Sequence, residues 1–279
     1  MIIEKQFDLR EILIKTNYQL VIHKEKDFKN LPVAYGSGFF LNYQENLFFL
    51  TADHNIHYND HQENERLGVD NYVGILNNIS HPEELSTVIT PVGGFYFMEK
   101  FDISEPDLGY ELFDVAISMI DRRKFEAPFL TDEKLVEETG EIIVSPKESK
   151  YEFLEEHIAE PNEEHSYYVY GKIKPEIKGI ILHRVGTFKS NLKFIRKAGQ
   201  YLLLQTEDII THSDDWAGLS GSAVINQEGK CIGVLCSVIE NTKSIFVKPF
   251  EKILPLLQMI PLQEKILKDR KSKDDNEPQ

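Results

Sequence analysis

Short apolar runs separated by turn-forming residues dominate the chain, and this pattern predicts β-strands. The runs fall into two series of about six strands each. The first series is YQLVIH, GSGFFLNY, NLFFLTA, YVGILNNI, STVITPVGG and DVAISMI, and the second is EIIVS, SYYVYGKI, GIILHRVGTF, YLLLQTE, SAVINQ, KCIGVLC and SIFVKPF. Helical periodicity occurs at Phe7–Lys15 and at Phe250–Met259. The pattern therefore predicts an all-β protein of two barrels, with short helices at the N- and C-terminal ends.

An irregular, charged stretch between the two series predicts a linker. An acidic insert that follows it, residues 152–164, is predicted to be a solvated loop. We expect five segments: a helical extension over 1–16, a first barrel over 17–125, the linker over 126–140, a second barrel over 141–250, and a C-terminal helix with a disordered charged tail over 251–279.

Composition narrows the class of protein. The chain has 279 residues, of which 41% are hydrophobic, so a sizeable core is available. Its net charge of −15 repels phosphate, and we predict no nucleic-acid partner. Cys231 and Cys236 would point to opposite faces of one strand, so we expect both to stay reduced. The opening MIIEKQFDLR lacks the apolar core of a signal peptide, and no apolar run would span a membrane, which predicts a cytoplasmic protein without a membrane partner.

The segment GLSGSAV, at 218–224, contains a candidate nucleophile. Ser220 lies between Gly218 and Gly221, and glycines allow the tight turn that brings backbone N–H groups together around one point. A serine nucleophile also needs a base, and the last histidine of the chain is His212. The base must therefore lie upstream, which excludes the order Ser…Asp…His and a papain-type cysteine site.

The strongest upstream base is His54, at the end of the apolar run that leads into Thr51 and Ala52. A histidine at such a strand end is held firmly while its ring faces a cleft. The orienting acid is assigned to Asp114, which opens the alternating run DVAIS. Three other aspartates are rivals, although none leads into such a run: Asp102, Asp107 and Asp121.

Four motifs, in the order GSGFFL, TADH, DVAI and GLSGSAV, resemble the trypsin-like (chymotrypsin-fold) serine peptidase family. The usual forms in that family are G-S-G-F, T-A-A-H, D-I-A-L and G-D/N-S-G-G-P. The resemblance covers roughly residues 17 to 256, and it includes the order His…Asp…Ser.

The resemblance implies a fold, a triad and a reaction. It implies two six-stranded antiparallel barrels with the site in the cleft between them. It assigns the base to His54, the orienting acid to Asp114 and the nucleophile to Ser220, with the backbone N–H groups of Gly218 and Ser220 as the oxyanion hole. The implied activity is hydrolysis of peptide bonds in a protein or peptide substrate, with no cofactor and no metal.

Some positions depart from the family pattern. Leu219 replaces the aspartate that pairs with a new N-terminus when secreted members are activated, so that switch cannot operate here. Asp53 stands beside the base and adds a charge that raises its pKa, while Ser222 and Ala223 are mild changes from Gly-Pro. Because the switch is missing, we expect control by a regulatory protein partner.

The resemblance also locates a primary specificity pocket, formed by Asp214, Cys236, Ser237 and Val238. Asp214 at its floor would favour Arg or Lys at the P1 position of the substrate. Val238, in place of a wall glycine, would narrow the entrance and favour a small or medium apolar P1 residue. Asp215 is adjacent, so a shift of one residue would change which carboxylate faces inward, and both specificities remain open.

Two alternatives to a peptidase remain. His54, His57 and His61, with Asp60, have the spacing of a metal cluster on a helix, although a metal site leaves the serine motif unexplained. Without a metal, His57 and His61 are expected to be exposed loop residues. The other alternative is a protease-like module that has kept its triad and acts mainly by binding a partner.

Overall fold

This computed structural model describes residues 8–24, 31–63, 71–80, 85–100, 111–124, 129–178 and 181–274. The first part of the chain contains two helices, α1 (Leu9–Thr16) and α2 (Tyr58–Glu63). Its strands are β1 (Tyr18–His23), β2 (Ala34–Tyr43), β3 (Asn46–Thr51), β4 (Tyr72–Ser80), β5 (Leu85–Val92), β6 (Phe95–Lys100) and β7 (Glu111–Ile120).

The second part contains short strands β8 (Leu135–Val136), β9 (Ile142–Val144) and β10 (Phe153–Leu154) before the main series. That series is β11 (Ser166–Lys178), β12 (Ile181–Ala198), β13 (Tyr201–Gln205), β14 (Ala223–Asn226), β15 (Cys231–Val238) and β16 (Ser244–Pro249). It is followed by helix α3 (Phe250–Asp274).

The strands form two antiparallel units, as predicted. The second unit is a closed six-stranded barrel in the order β11-β12-β13-β16-β15-β14. The first is a half-barrel sheet in the order β5-β4-β1-β2-β3-β7-β6, and β10 joins β2 in parallel. The all-β, chymotrypsin-like class is therefore confirmed. The first unit differs in detail: it is a half-barrel rather than a closed barrel, and its strand β6, FYFMEK, was not among the predicted runs.

Alternation along β2 explains how the two units pack together. Phe40 points into the half-barrel core, whereas its neighbours Phe39 and Leu41 point into a second core that the two units share. The ring of Phe39 meets those of Phe153 and Phe250 edge to face, at centroid distances of 5.6 and 6.4 Å. The sheet is thus fixed against elements of the second half of the chain.

Two predictions about the second half are wrong. The acidic insert 152–164 is not simply a solvated loop, because Phe153 is buried in the shared core and β10 pairs with β2. The closing helix does not end at Met259, and the prediction of a disordered tail, KDRKSKDDNEPQ, is wrong for residues 268–274, which are helical; residues 275–279 lie outside the described residues. The helix continues because its first turns pack Ile253, Leu257 and Ile260 into the core despite Pro255.

Candidate active site

His54 lies where β3 leaves the half-barrel. The strand ends at Thr51, and the chain enters a short 3-10 helix over Asp53–Asn55. The backbone N–H groups of Ile56 and His57 bond to the carbonyl of Asp53 and fix this turn. The imidazole of His54 stays about a quarter exposed, at 24%, on a rigid turn.

Asp114 comes from the neighbouring strand β7, which pairs with β3 so that Ala116 lies opposite Thr51. Its Oδ1 lies 3.1 Å from the main-chain nitrogen of His54 and 2.9 Å from Nδ1, and Oδ2 lies 3.0 Å from Nδ1. Since a carboxylate accepts, Nδ1 carries the proton, and Nε2 of the neutral ring is left as the base.

The two groups shift each other's pKa in opposite directions. Burial alone raises the pKa of Asp114, but the charge and hydrogen bond of His54, with the charge of His61, lower it to about 2. Burial lowers the pKa of His54, but the charge of Asp114, its hydrogen bond and the charge of Asp53 raise the pKa above its ordinary value. Each of the two residues therefore stabilises the charged form of the other.

Ser220 lies on a turn that only glycines allow. Gly218 and Gly221 have φ angles of +101° and +90°. A Cβ atom on Gly221 would lie 2.0 Å from the carbonyl oxygen of Ser37 in β2. The turn is tied to the half-barrel because the carbonyl of Ser220 accepts from the backbone N–H of Ser37 at 2.9 Å and from Asn55 Nδ2 at 3.0 Å.

The same turn presents backbone donors. Ser37 Oγ donates to the carbonyl of Gly218 at 2.7 Å, and the N–H of Leu219 bonds to the carbonyl of Trp216 at 3.0 Å. Within the described ranges, the N–H groups of Gly218 and Ser220 donate to no other group of the chain. Two unpaired N–H groups on a rigid turn, separated by the one residue Leu219, suit an oxyanion hole.

These residues meet in one cavity of about 480 Å³. It lies between the half-barrel and the closed barrel, and its lining residues are His54, His61, Asp114, Tyr201, Ser213, Trp216, Ala217, Ser220, Leu235, Cys236, Ser237 and Val238. The structure therefore brings His54, Asp114 and Ser220 to the same cleft.

The hydroxyl of Ser220 does not bond to His54 in the part of the chain that the structure describes. Its Oγ instead donates to the carbonyl of Cys236 at 3.4 Å. Hydrogen bonds of this kind are often long or misaligned in the resting state and tighten only with substrate bound. The cleft therefore holds all three groups, and the hydrogen bond between Ser220 Oγ and His54 is the contact that substrate binding would form.

Three of the four residues predicted to form the specificity pocket line the cavity, and the fourth does not. Cys236, Ser237 and Val238 line the cavity, and burial raises the pKa of the Cys236 thiol well above its ordinary value. Asp214 does not line it: this residue is exposed in the 3-10 helix Ser213–Asp215, and Ser213 lines the cavity instead.

Of the two cysteines, neither forms a disulfide, as expected. Among the rival acids, Asp121 forms a surface ion pair with Arg123 at 2.8 Å, and Asp102 and Asp107 lie outside the described residues.

The prediction that His57 and His61 are exposed loop residues is wrong. His57 is buried, and Nδ1 lies 2.7 Å from Asp53 Oδ1; His61 is 19% exposed, and Nε2 lies 2.7 Å from Asp53 Oδ2. Asp53, His57 and His61 are spaced four residues apart, and this helical spacing was the sequence signal that could have indicated their contact. Among the residues that the structure describes, no group of three or more His, Cys, Asp or Glu side chains is arranged to hold a metal ion.

The chain is similar to solved structures of known proteins at low sequence identity. No protein-family model matches the chain, and neither does any curated protein. The Rv3671c protease from M. tuberculosis, in its active form, is similar in structure with 14% sequence identity and a TM-score of 0.43, over 90% of this chain and 82% of that one. The serine endoprotease from Yersinia pestis is similar with 13% identity and a TM-score of 0.44, over 92% of this chain and 67% of that one. Identities and TM-scores this low carry no information on activity, so function must be inferred from this chain's own residues.

Across the described ranges, none of the helices combines the length and the apolar character needed to cross a membrane.

Proposed function

We propose that this protein is a serine endopeptidase of the trypsin-like family. The observation that carries the proposal is the bond from His54 Nδ1 to Asp114 in a cleft that also holds Ser220, whose turn carries two undonated backbone N–H groups. A carboxylate that fixes the tautomer, a base and an oxyanion hole are the parts that serine-based acyl transfer needs.

Each residue has one role in the proposed reaction. Oγ of Ser220 attacks the scissile carbonyl while Nε2 of His54 takes its proton, and Asp114 stabilises the imidazolium that forms. The developing oxyanion accepts from the N–H groups of Gly218 and Ser220. His54 then protonates the leaving amine, and a water molecule, activated by the same base, hydrolyses the acyl-enzyme.

The nucleophile turn needs no activating ion pair in this proposal. Leu219, at the position of the family's aspartate, is fully buried in the core of the closed barrel. A Cβ atom on Gly171 would lie 2.6 Å from its side chain, so Leu219 packs directly on β11. Apolar burial thus anchors the turn, and we propose that control comes from a regulatory protein partner in the cytoplasm.

A protease-like binding module is the second candidate. The bond from Ser220 Oγ to the carbonyl of Cys236, rather than to His54, favours it. Reaction with a fluorophosphonate separates the two, because only a serine activated by a base is labelled rapidly. We expect one adduct on Ser220 in the wild type and none in Ser220→Ala; an unreactive, folded wild type would favour the binding module.

A further inference from the structure

Asp53 is a buried carboxylate beside the site that the triad does not use. Its side chain is fully buried, and each of its oxygens contacts an imidazole nitrogen at 2.7 Å, Oδ1 that of His57 and Oδ2 that of His61. Burying a carboxylate costs several kcal/mol unless charges and hydrogen bonds compensate it. The two imidazole contacts of Asp53 provide that compensation.

Only one of the two histidines faces the triad. Nε2 of His61 also lies 3.8 Å from Oδ1 of Asp114, the oxygen that contacts His54. The rings of His61 and His54 are 5.9 Å apart and nearly perpendicular, and His61 lines the cleft. His57 instead packs on Phe97 at 4.5 Å, and it does not line the cleft.

We propose that the Asp53–His61 pair is a second carboxylate–imidazole pair that positions Asp114, which makes His61 a positioning residue of the hydrolytic site. Asp53 fixes His61 through Nε2, and the fixed ring lies in α2 with Nε2 3.8 Å from the same Asp114 oxygen that His54 contacts. The inference rests on the proposed peptidase function. It places two imidazoles around one carboxylate, whereas a conventional triad needs only one.

The thiol of Cys236 also lies beside Asp114. Its Sγ lies 3.2 Å from the main-chain carbonyl of Asp114, and burial, together with the charge and side-chain hydrogen bond of Asp114, raises the pKa of the thiol. Among the described residues, the titratable groups that face His61 include Asp53 in the 3-10 helix, Asp114 in β7 and His54, and the buried Asp60 precedes it in α2. Those that face His54 include Asp114, Asp53, His61 and Cys236.

A matched pair of variants separates positioning from stability. His61→Phe and His57→Phe each remove one 2.7 Å contact to Asp53 and keep a ring in place. We expect the fluorophosphonate labelling rate of His61→Phe to fall about 10-fold, the lower end of the effect that hydrogen-bond partners of metal ligands have on activity. His57→Phe should melt at a lower temperature yet be labelled at the wild-type rate per folded molecule.

A conservative variant provides the rescue. The amide of His61→Gln can still donate to Asp53, so its labelling rate should lie within about 3-fold of the wild type. Equal losses in His61→Phe and His57→Phe, or no loss in His61→Phe, would overturn the positioning role. A wild type that is not labelled would overturn the peptidase proposal as well, so the two failures are distinguishable.

If His61→Phe does not fold, Asp53→Asn supplies the second measurement. The charge of Asp53 raises the pKa of His54, so its removal should shift the acid limb of the labelling rate to lower pH. An acid limb that stays at the wild-type pH would contradict a contribution of this pair to the site.

Discussion

Oδ1 of Asp114 contacts two nitrogens of one residue, the main-chain nitrogen of His54 at 3.1 Å and its Nδ1 at 2.9 Å. The first contact fixes the turn that carries the histidine, and the second fixes the ring and its tautomer. One carboxylate on β7 thus sets both the place and the protonation of the proposed base on the end of β3.

Asp114→Asn should therefore be nearly inactive although folded. An asparagine can present its amide N–H to Nδ1, which stabilises the wrong tautomer and protonates Nε2. We expect kcat to fall about 10⁴-fold, as in the serine-protease template. The control is Asp121→Asn just past the end of the same strand, which should keep wild-type kcat; a fully active Asp114→Asn would refute the assigned role.

The pKa shifts of the dyad predict two limits in pH. The pKa of His54 is raised above 6.5, so the acid limb of kcat/KM should titrate above that value. The pKa of Asp114 is lowered from 3.8 to about 2, so its contribution to stability is present above pH 3.8 and is lost as the pH falls through 2.

Both limits can be measured on the same preparation. A pH–rate profile gives the first, and acid unfolding of the wild type against Asp114→Asn gives the second. The difference in stability between the two proteins should shrink as the pH falls from 3.8 towards 2. A constant difference over that range would show that Asp114 is not held in its charged form.

Gly221→Ala should disrupt the nucleophile turn. The residue has a φ of +90°, and the added Cβ would lie 2.0 Å from the carbonyl oxygen of Ser37. Gly140 is the matched control, because its φ is +86° and a Cβ there meets nothing within 4 Å.

In both variants the strained backbone lowers the free energy of unfolding by about 1–3 kcal/mol, but only Gly221→Ala also adds a clash. We expect thermal unfolding to show a larger loss for Gly221→Ala, with labelling of Ser220 abolished. Equal melting temperatures for the two variants would contradict the close packing of the turn on β2.

The position of Asp214 favours one of the two specificities that the sequence left open. The cavity lining includes Trp216, Leu235 and Val238, and among the described residues Asp114 supplies its only carboxylate. We therefore expect peptides with a small or medium apolar P1 residue to be cleaved faster than their arginine counterparts. Asp214→Ser should leave the ratio of the two kcat/KM values unchanged; a preference for arginine that this variant erased would restore Asp214 to the pocket floor.

The sequence predicted the parts of the site that depend on local structure. His54, Asp114 and Ser220 each stand next to an apolar run or a glycine turn, so strand pattern and motif order were enough to select them. A short apolar run also identified β2, and the alternating run after Asp114 identified β7; these strands position the three residues.

The parts that depend on tertiary contacts were not predictable. His57 and His61 look like polar residues after a strand; their spacing from Asp53 indicates only a shared helical face, and not that the carboxylate they contact is buried. Asp214 was placed by counting from Ser220, but the 3-10 helix Ser213–Asp215 turns it to solvent. The end of α3 was missed because Pro261 and the charged residues after it are typical of a helix end, whereas the helix continues to Asp274.

The central claim is that Ser220 hydrolyses peptide bonds without a metal. The most direct measurement is the appearance of new peptide N-termini by mass spectrometry, when a peptide library is incubated with wild type or Ser220→Ala after exhaustive chelation. Our account predicts cleavage by the chelated wild type and none by Ser220→Ala, which should melt at nearly the wild-type temperature. Cleavage that persists in Ser220→Ala, or that chelation stops and zinc restores, would contradict it.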